Sequence, residues 1–105
     1  MVDLWKLSAL ELREMISRKE ACPSEIMEVI LGRIEKVNPR INAFCTLVSG
    51  PAMAEARRAD EQVSQGTGKG PLFGVPVSIK DLIFTRGIRT TFGSRMHENF
   101  VPDLD

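Results

Sequence analysis

Lys80 is the residue of this 105-residue chain whose position points most directly to chemistry. It follows the apolar residues Val75, Val77 and Ile79, a pattern that predicts an interior parallel strand ending at the lysine. Open α/β sheets bind their ligands at the carboxyl ends of such strands. Removal from water there favours the neutral amine, which can act as a general base. The residues alone leave one alternative open, in which Lys80 pairs with Asp81 or extends into solvent.

The other reactive side chains do not form a recognisable centre. Cys22 and Cys45 have no metal-ligand spacing, and the single histidine, His97, does not complete a zinc site with them. We therefore predict no metal and no cofactor. The two cysteines are interpreted as small, semi-buried hydrophobic residues of a reduced protein.

Composition and charge narrow the class of protein. Apolar residues make up 43% and charged residues 27% of the chain, as in ordinary globular proteins. The 14 basic and 14 acidic side chains cancel, so no long-range field recruits nucleic acid or an anionic membrane. No apolar run reaches the roughly 18 residues that a bilayer requires, and the acidic N-terminal segment does not resemble a signal peptide. These features predict a cytoplasmic protein without nucleic-acid or membrane partners.

Three helices are predicted, over about residues 8–19, 23–37 and 51–64. The first begins with a capping box, in which Ser8 and Glu11 satisfy each other's backbone amides. The second begins with Pro23, because the first helical position does not use its N–H. We expect this helix to end at Asn38, since a residue before proline disfavours the helical conformation.

Two strands are predicted at about residues 43–48 and 74–80, on either side of the third helix. A strand, a helix and a strand in this order imply a right-handed βαβ crossover with parallel strands. The expected fold class is therefore α/β, with N-terminal helices followed by a βαβ unit. Lys80 is expected at the carboxyl end of the second strand.

The sequence around Lys80 resembles a known family. Residues 70–81, Gly-Pro-Leu-Phe-Gly-Val-Pro-Val-Ser-Ile-Lys-Asp, are similar to the lysine segment of the amidase signature family. Residues 87–94 resemble that family's next block. Further similar positions, in order along the chain, are Arg33-Ile34-Glu35, Asn38-Pro39, Ile41-Asn42-Ala43-Phe44, Ala56, Ala59-Asp60, Val101-Pro102 and Asp105. The resemblance implies that residues 1–105 are the N-terminal portion of an amidase domain with a mixed sheet, and not a complete catalytic domain.

The resemblance also implies a mechanism that uses two serines and a lysine. In the family, an unprotonated lysine, here Lys80, relays a proton through a bridging serine with a cis peptide, and a second serine attacks the amide carbonyl. Both family serines lie downstream of the block that ends near Asp105, and neither Ser78 nor Ser94 matches them. We therefore expect an amidase that hydrolyses the C–N bond of a small-molecule amide, of which these residues alone are inactive. The substrate stays open, as does the choice between a stand-alone amidase and a protein that resembles the amidotransferase A-subunit.

Several residues near Lys80 are predicted to support the site. In the family pattern, Asp81 is interpreted as an orienting hydrogen-bond partner, with a role as an acid catalyst as the alternative. The residues expected to shape the loop around the site are Thr90, Thr91, Gly93 and Ser94, with direct substrate contact as the alternative.

A different class of function stays open beside the enzyme. The chain can be a non-catalytic module whose role is self-association or partner binding. In the complete sheet that the resemblance implies, the strand that carries Lys80 is interior; without its later neighbours it would expose unpaired N–H and C=O groups along its edge. We predict that the 105 residues form a homo-oligomer or exchange elements to cover that edge.

Overall fold

A computed structural model of the chain describes residues 2–105. They form three α-helices, α1 (Ala9–Ser17), α2 (Pro23–Ile41) and α3 (Ser49–Gln65), with short 3₁₀ helices at Leu4–Lys6 and Arg95–His97. No residue between 2 and 105 lies in a β-strand. The predicted α/β fold with a βαβ unit is therefore wrong, and the regular structure of the described residues is helical.

The two predicted strands, 43–48 and 74–80, are irregular segments. The backbone near the second one forms turns, since the amide of Val75 donates to Leu72 O and the amide of Ile83 donates to Lys80 O, both at 3.0 Å. Gly74 adopts a φ of 80° at the start of this segment. Alternating apolar residues give a segment a preference for strand, but a strand forms only against a partner backbone. No such partner is present among the described residues.

The described residues divide into two compact units. The first unit comprises the residues up to Ile41 together with Ser49–Pro76, and it contains the three α-helices. The second unit comprises Asn42–Val48 and Val77–Asp105, and Arg95–His97 is its regular element. Lys80 and the residues predicted to support it all belong to the second unit.

Local signals place the helices of the first unit. The capping box of α1 is confirmed, because Ser8 N donates to Glu11 Oε2 at 2.7 Å and Glu11 N donates to Ser8 Oγ at 3.2 Å. At the start of α2, Ser24 N donates to the carboxylate of Asp60 in α3 at 3.0 Å. This bond satisfies one of the free amides at the helix N-terminus and links α2 to α3.

Helix α2 does not end at Asn38 as predicted. It continues through Pro39 to Ile41. Proline lacks the N–H that would bond to the carbonyl four residues earlier, which weakens a helix interior. In the last turn this loss affects a single bond, and the helix tolerates it.

The core of the first unit is small and lies between the N-terminal segment, α1 and α2. Its buried apolar residues are Leu4, Leu12, Ile16, Ala21 and Ile26. The backbone at Gly74 packs directly against Ile16 of this core and against Pro23. A Cβ built at Gly74 would lie 2.9 Å from both Ile16 Cδ1 and Pro23 Cγ. The chain that leads towards Lys80 is therefore fixed by a glycine that cannot accept a side chain without displacement of its neighbours.

Candidate functional site

Lys80 lies in an irregular segment, and it is exposed. Its carbonyl accepts the turn bond from Ile83 N. Among residues 2–105 its amine forms no ion pair. The burial that would favour a neutral amine is therefore not supplied by this part of the chain.

Asp81 is held by Thr91 and not by Lys80. Thr91 N donates to Asp81 Oδ1 at 2.7 Å, and Thr91 Oγ1 donates to Asp81 Oδ2. The Asp81 carbonyl accepts from Phe92 N at 3.0 Å. The alternative in which Lys80 pairs with Asp81 is not observed in the described structure.

The same contacts lower the pKa of the Asp81 carboxyl. The hydrogen bonds from the Thr91 side chain and then from its amide hold the pKa of the Asp81 carboxyl below its ordinary value, because both stabilise the carboxylate. Burial opposes this effect, while the positive charge of Arg89 and a hydrogen bond from the Cys45 side chain add to it. Asp81 is consequently a carboxylate at neutral pH.

The loop that follows is ordered by its own hydroxyl and amide groups. Thr90 is buried, and its amide donates to Phe100 O at 2.9 Å. Thr91 Oγ1 accepts from Gly93 N at 3.2 Å, so Asp81, Thr91 and Gly93 belong to one hydrogen-bond network. Ser94 is the N-cap of the 3₁₀ helix Arg95–His97, because its Oγ accepts a hydrogen bond from Met96 N at 3.3 Å.

A cluster of aromatic rings packs beside this loop. Phe92 lies 5.8 Å from Phe84 and 6.2 Å from Phe100, measured between ring centroids. His97 contacts the same cluster edge-on, 5.3 Å from Phe92. Phe92 adopts a φ of 55°, which is unusual for a residue with a side chain. The rings supply the apolar packing of a unit that has little regular structure.

Sequence reasoning missed the contribution of Arg89. Its Nε donates to Thr46 Oγ1 at 3.2 Å, Nη1 to Glu98 O at 2.8 Å and Nη2 to Cys45 O at 3.1 Å. Two of these acceptors precede the arginine by more than 40 residues. No local pattern indicates such a contact, and only its place in the 87–94 block distinguished this arginine from the others.

The described residues contain no group of three or more histidine, cysteine, aspartate or glutamate side chains placed to hold a metal ion. Cys22 and Cys45 form no disulfide and are exposed, so the expectation that they are semi-buried is wrong. In residues 2–105, no helix has the length and apolar character needed to cross a membrane.

Comparison with known proteins gives a consistent result. The sequence profile of a family described as Amidase matches residues 25–105. The A-subunit of glutamyl-tRNA(Gln) amidotransferase from Dehalococcoides mccartyi is 43% identical over 102 residues, which are 97% of this chain and 21% of that protein. The corresponding A-subunits from Carboxydothermus hydrogenoformans and Geotalea daltonii are 42% and 39% identical over 104 residues, 99% of this chain and 21% of each relative. The chain thus spans about a fifth of the length of these curated relatives.

Proposed function

Because the chain belongs to the amidase family, we propose that it supplies the N-terminal part of an enzyme that cleaves a carboxylic amide C–N bond, with Lys80 as the catalytic base. One observation carries this assignment of the base. Both carboxylate oxygens of Asp81 accept hydrogen bonds from Thr91, and in the described residues this carboxylate, the neighbour of Lys80 in the sequence, forms no ion pair with the Lys80 amine. The Lys80 side chain is therefore not engaged by the carboxylate that follows it in the chain.

In the proposed reaction, Lys80 accepts the proton that a serine hydroxyl loses as its oxygen attacks the amide carbonyl. A bridging serine relays this proton, and the leaving nitrogen takes a proton as the C–N bond breaks. The product is an acyl-enzyme that water or another amine resolves. The two serines belong to polypeptide beyond these 105 residues. We propose that the same polypeptide covers Lys80 and removes its amine from water.

The test is Lys80→Ala in a full-length protein that contains this chain, with Lys69→Ala as the matched control. Lys69 is also exposed, and it lies in the first unit. Loss of a general base should lower the acylation rate about 100- to 10,000-fold, with an unchanged circular dichroism spectrum. A Lys80→Ala enzyme that acylates as fast as the Lys69→Ala enzyme would overturn the assignment.

We further propose that the 105 residues alone do not turn over amides. Lys80 is present, but no serine of this chain matches the proposed nucleophile. An assay of ammonia release or anilide cleavage on the purified chain tests this. Turnover that disappears in Lys80→Ala would show that these residues suffice.

The relatives' names favour one kind of enzyme within the family. Each of the three relatives is the A-subunit of a glutamyl-tRNA(Gln) amidotransferase, at 39–43% identity. We propose that the full-length protein is an amidotransferase A-subunit of this kind and not a stand-alone amidase. Transfer of amide nitrogen to glutamyl-tRNA(Gln) by the assembled enzyme is the expected activity. Amide hydrolysis without such transfer would favour the stand-alone alternative.

A second candidate function is association through the segment that carries Lys80. Val77 is 81% exposed, and the large side chains of Ile79, Leu82 and Ile83 are each more than half exposed. Apolar residues so close together on a surface are typical of a region that another surface covers. We propose that the 105 residues form a dimer, or exchange elements, through this segment.

Sedimentation of the purified chain tests the association. Val77→Lys should shift the dimer towards monomer, whereas Leu10→Lys, at a residue 74% exposed in the first unit, should leave it unchanged. A compact monomer across micromolar concentrations, without exchange, would contradict the proposal.

A further inference from the structure

We propose that Arg89 is a positioning residue for the Lys80 site, because its guanidinium fixes the segment 42–48 to the loop that binds the Asp81 carboxylate. This role rests on the proposed function of Lys80. Nothing in the sequence pattern required it, since Arg89 is neither an expected base nor an expected substrate ligand. Its contacts within the second unit are what assign it.

All three nitrogens of the Arg89 guanidinium donate hydrogen bonds to neutral acceptors. Two acceptors, Cys45 O and Thr46 Oγ1, lie in the segment 42–48, and the third is Glu98 O at 2.8 Å. In the described chain Arg89 forms no ion pair, and its guanidinium is held by two main-chain carbonyls and one hydroxyl. A guanidinium donates from three separate nitrogens in a fixed planar arrangement, and the single nitrogen of a lysine ammonium cannot reach the same three acceptors in that geometry.

The fixed arginine is two residues from Thr91 in the chain. Between them, Thr90 is buried and its amide bonds to Phe100 O. The backbone from 89 to 91 is therefore fixed by the Arg89 side chain and by the Thr90 amide. The next residue, Thr91, donates two hydrogen bonds to Asp81. Asp81 follows Lys80 directly, so a shift of this loop moves the peptide that carries the base.

Arg89 also acts on Asp81 through its charge, which favours the carboxylate. The two effects can be separated by substitution. Arg89→Lys keeps the positive charge and loses the three-way fork, whereas Arg89→Ala loses both. Thr46→Val removes one acceptor and leaves the arginine in place. Arg95→Ala is the control, because it removes an exposed arginine from the same unit.

The experiment is ¹⁵N NMR of the 105-residue chain, with Asp81 followed by carboxyl ¹³C titration. We expect Arg89→Lys to shift the amide signals of Lys80, Asp81 and Thr91 and to increase their fast motion. Arg89→Ala should do the same and also raise the titration midpoint of Asp81. Thr46→Val should give smaller shifts in the same direction, and Arg95→Ala should give none.

Signal shifts confined to residues 42–48 would contradict the proposal. If Arg89→Lys and Thr46→Val shift only the signals of residues 42–48, then Arg89 holds that segment without positioning Lys80, and the proposal is wrong. If Arg89→Ala unfolds the second unit, Arg89→Lys and Thr46→Val still decide between these outcomes. The NMR readout needs no turnover, so it is independent of whether Lys80 is the base. In an active full-length enzyme, Arg89→Lys should lower kcat about 10- to 100-fold with little change in KM.

Discussion

Thr91 occupies both carboxylate oxygens of Asp81, through its amide at 2.7 Å on one side and through its hydroxyl on the other. Lys80 and Asp81 are neighbours of opposite charge in the sequence. In the structure, however, the Asp81 carboxylate binds Thr91, ten positions later. Asp81 therefore orders the loop around Thr91, and it does not pair with the amine of Lys80.

Thr91→Val should raise the pKa of the Asp81 carboxyl towards its ordinary value, because the side-chain hydrogen bond is the largest cause of its depression. A carboxyl whose pKa is lowered by folding contributes stability above its unfolded-state pKa, and this stability is lost as pH falls through the folded pKa. The variant should consequently lose less stability between neutral and acid pH than the original chain. Carboxyl ¹³C titration combined with urea unfolding at several pH values measures both effects.

Thr67→Val provides the control for that experiment. Its hydroxyl donates to a main-chain carbonyl, Gln62 O, and not to a carboxylate. The titration of Asp81 should be unchanged in this variant. An Asp81 midpoint that is the same in Thr91→Val and Thr67→Val would show that the Thr91 hydroxyl does not stabilise the carboxylate.

Ile26→Ala should destabilise the first unit by about 2–5 kcal/mol, because it deletes a side chain with no exposed surface from a small core. Leu10→Ala, at an exposed position of α1, should change stability by no more than about 0.5 kcal/mol. Urea denaturation followed by helical circular dichroism measures the difference. Equal midpoints for the two variants would mean that Ile26 is not part of the core.

The features that the sequence predicted are those with a local cause. Ser8 and Glu11 form the capping box because the partners lie three residues apart, and Pro23 begins α2 because its preference is built into its own ring. The segment 74–80 has the alternation of a strand, but a strand also needs a second backbone, which residues 2–105 do not provide. The position of Lys80 could be found by resemblance, whereas its exposure depends on what surrounds it.

The same distinction applies within the site. The resemblance indicated Asp81 and Thr91, and in the structure Thr91 donates two hydrogen bonds to Asp81. It gave Arg89 no role. The acceptors of Arg89 lie in a segment that the sequence predicted to be a strand. The segment is instead irregular, and its Cys45 carbonyl accepts a hydrogen bond from Arg89 and not from a neighbouring strand.

Gly74→Ala should be destabilising for two separate reasons. The residue has a φ of 80°, which costs a side chain about 1–2 kcal/mol, and the added methyl would lie 2.9 Å from Ile16 Cδ1 and Pro23 Cγ. Crowding in a packed core costs about 1–3 kcal/mol more. Gly66→Ala is the matched control, since Gly66 has a φ of 70° but open space around it. If urea unfolding gives the same loss for both variants, the contact with the core is unimportant.

Pro39→Ala should stabilise the chain, since α2 passes through this proline to Ile41. Alanine restores the N–H that bonds to the carbonyl of Glu35 and removes the ring that crowds it, an effect of about 3 kcal/mol in a helix interior. The gain is smaller in the last turn, and a more flexible unfolded chain offsets about 0.4–1 kcal/mol of it. We therefore expect a net gain of roughly 1 kcal/mol in urea unfolding. Pro51→Ala should give no gain, because Pro51 lies in the first turn of α3, where the missing N–H has no helical partner. A gain of equal size in both variants would mean that helix continuity at Pro39 is not the cause.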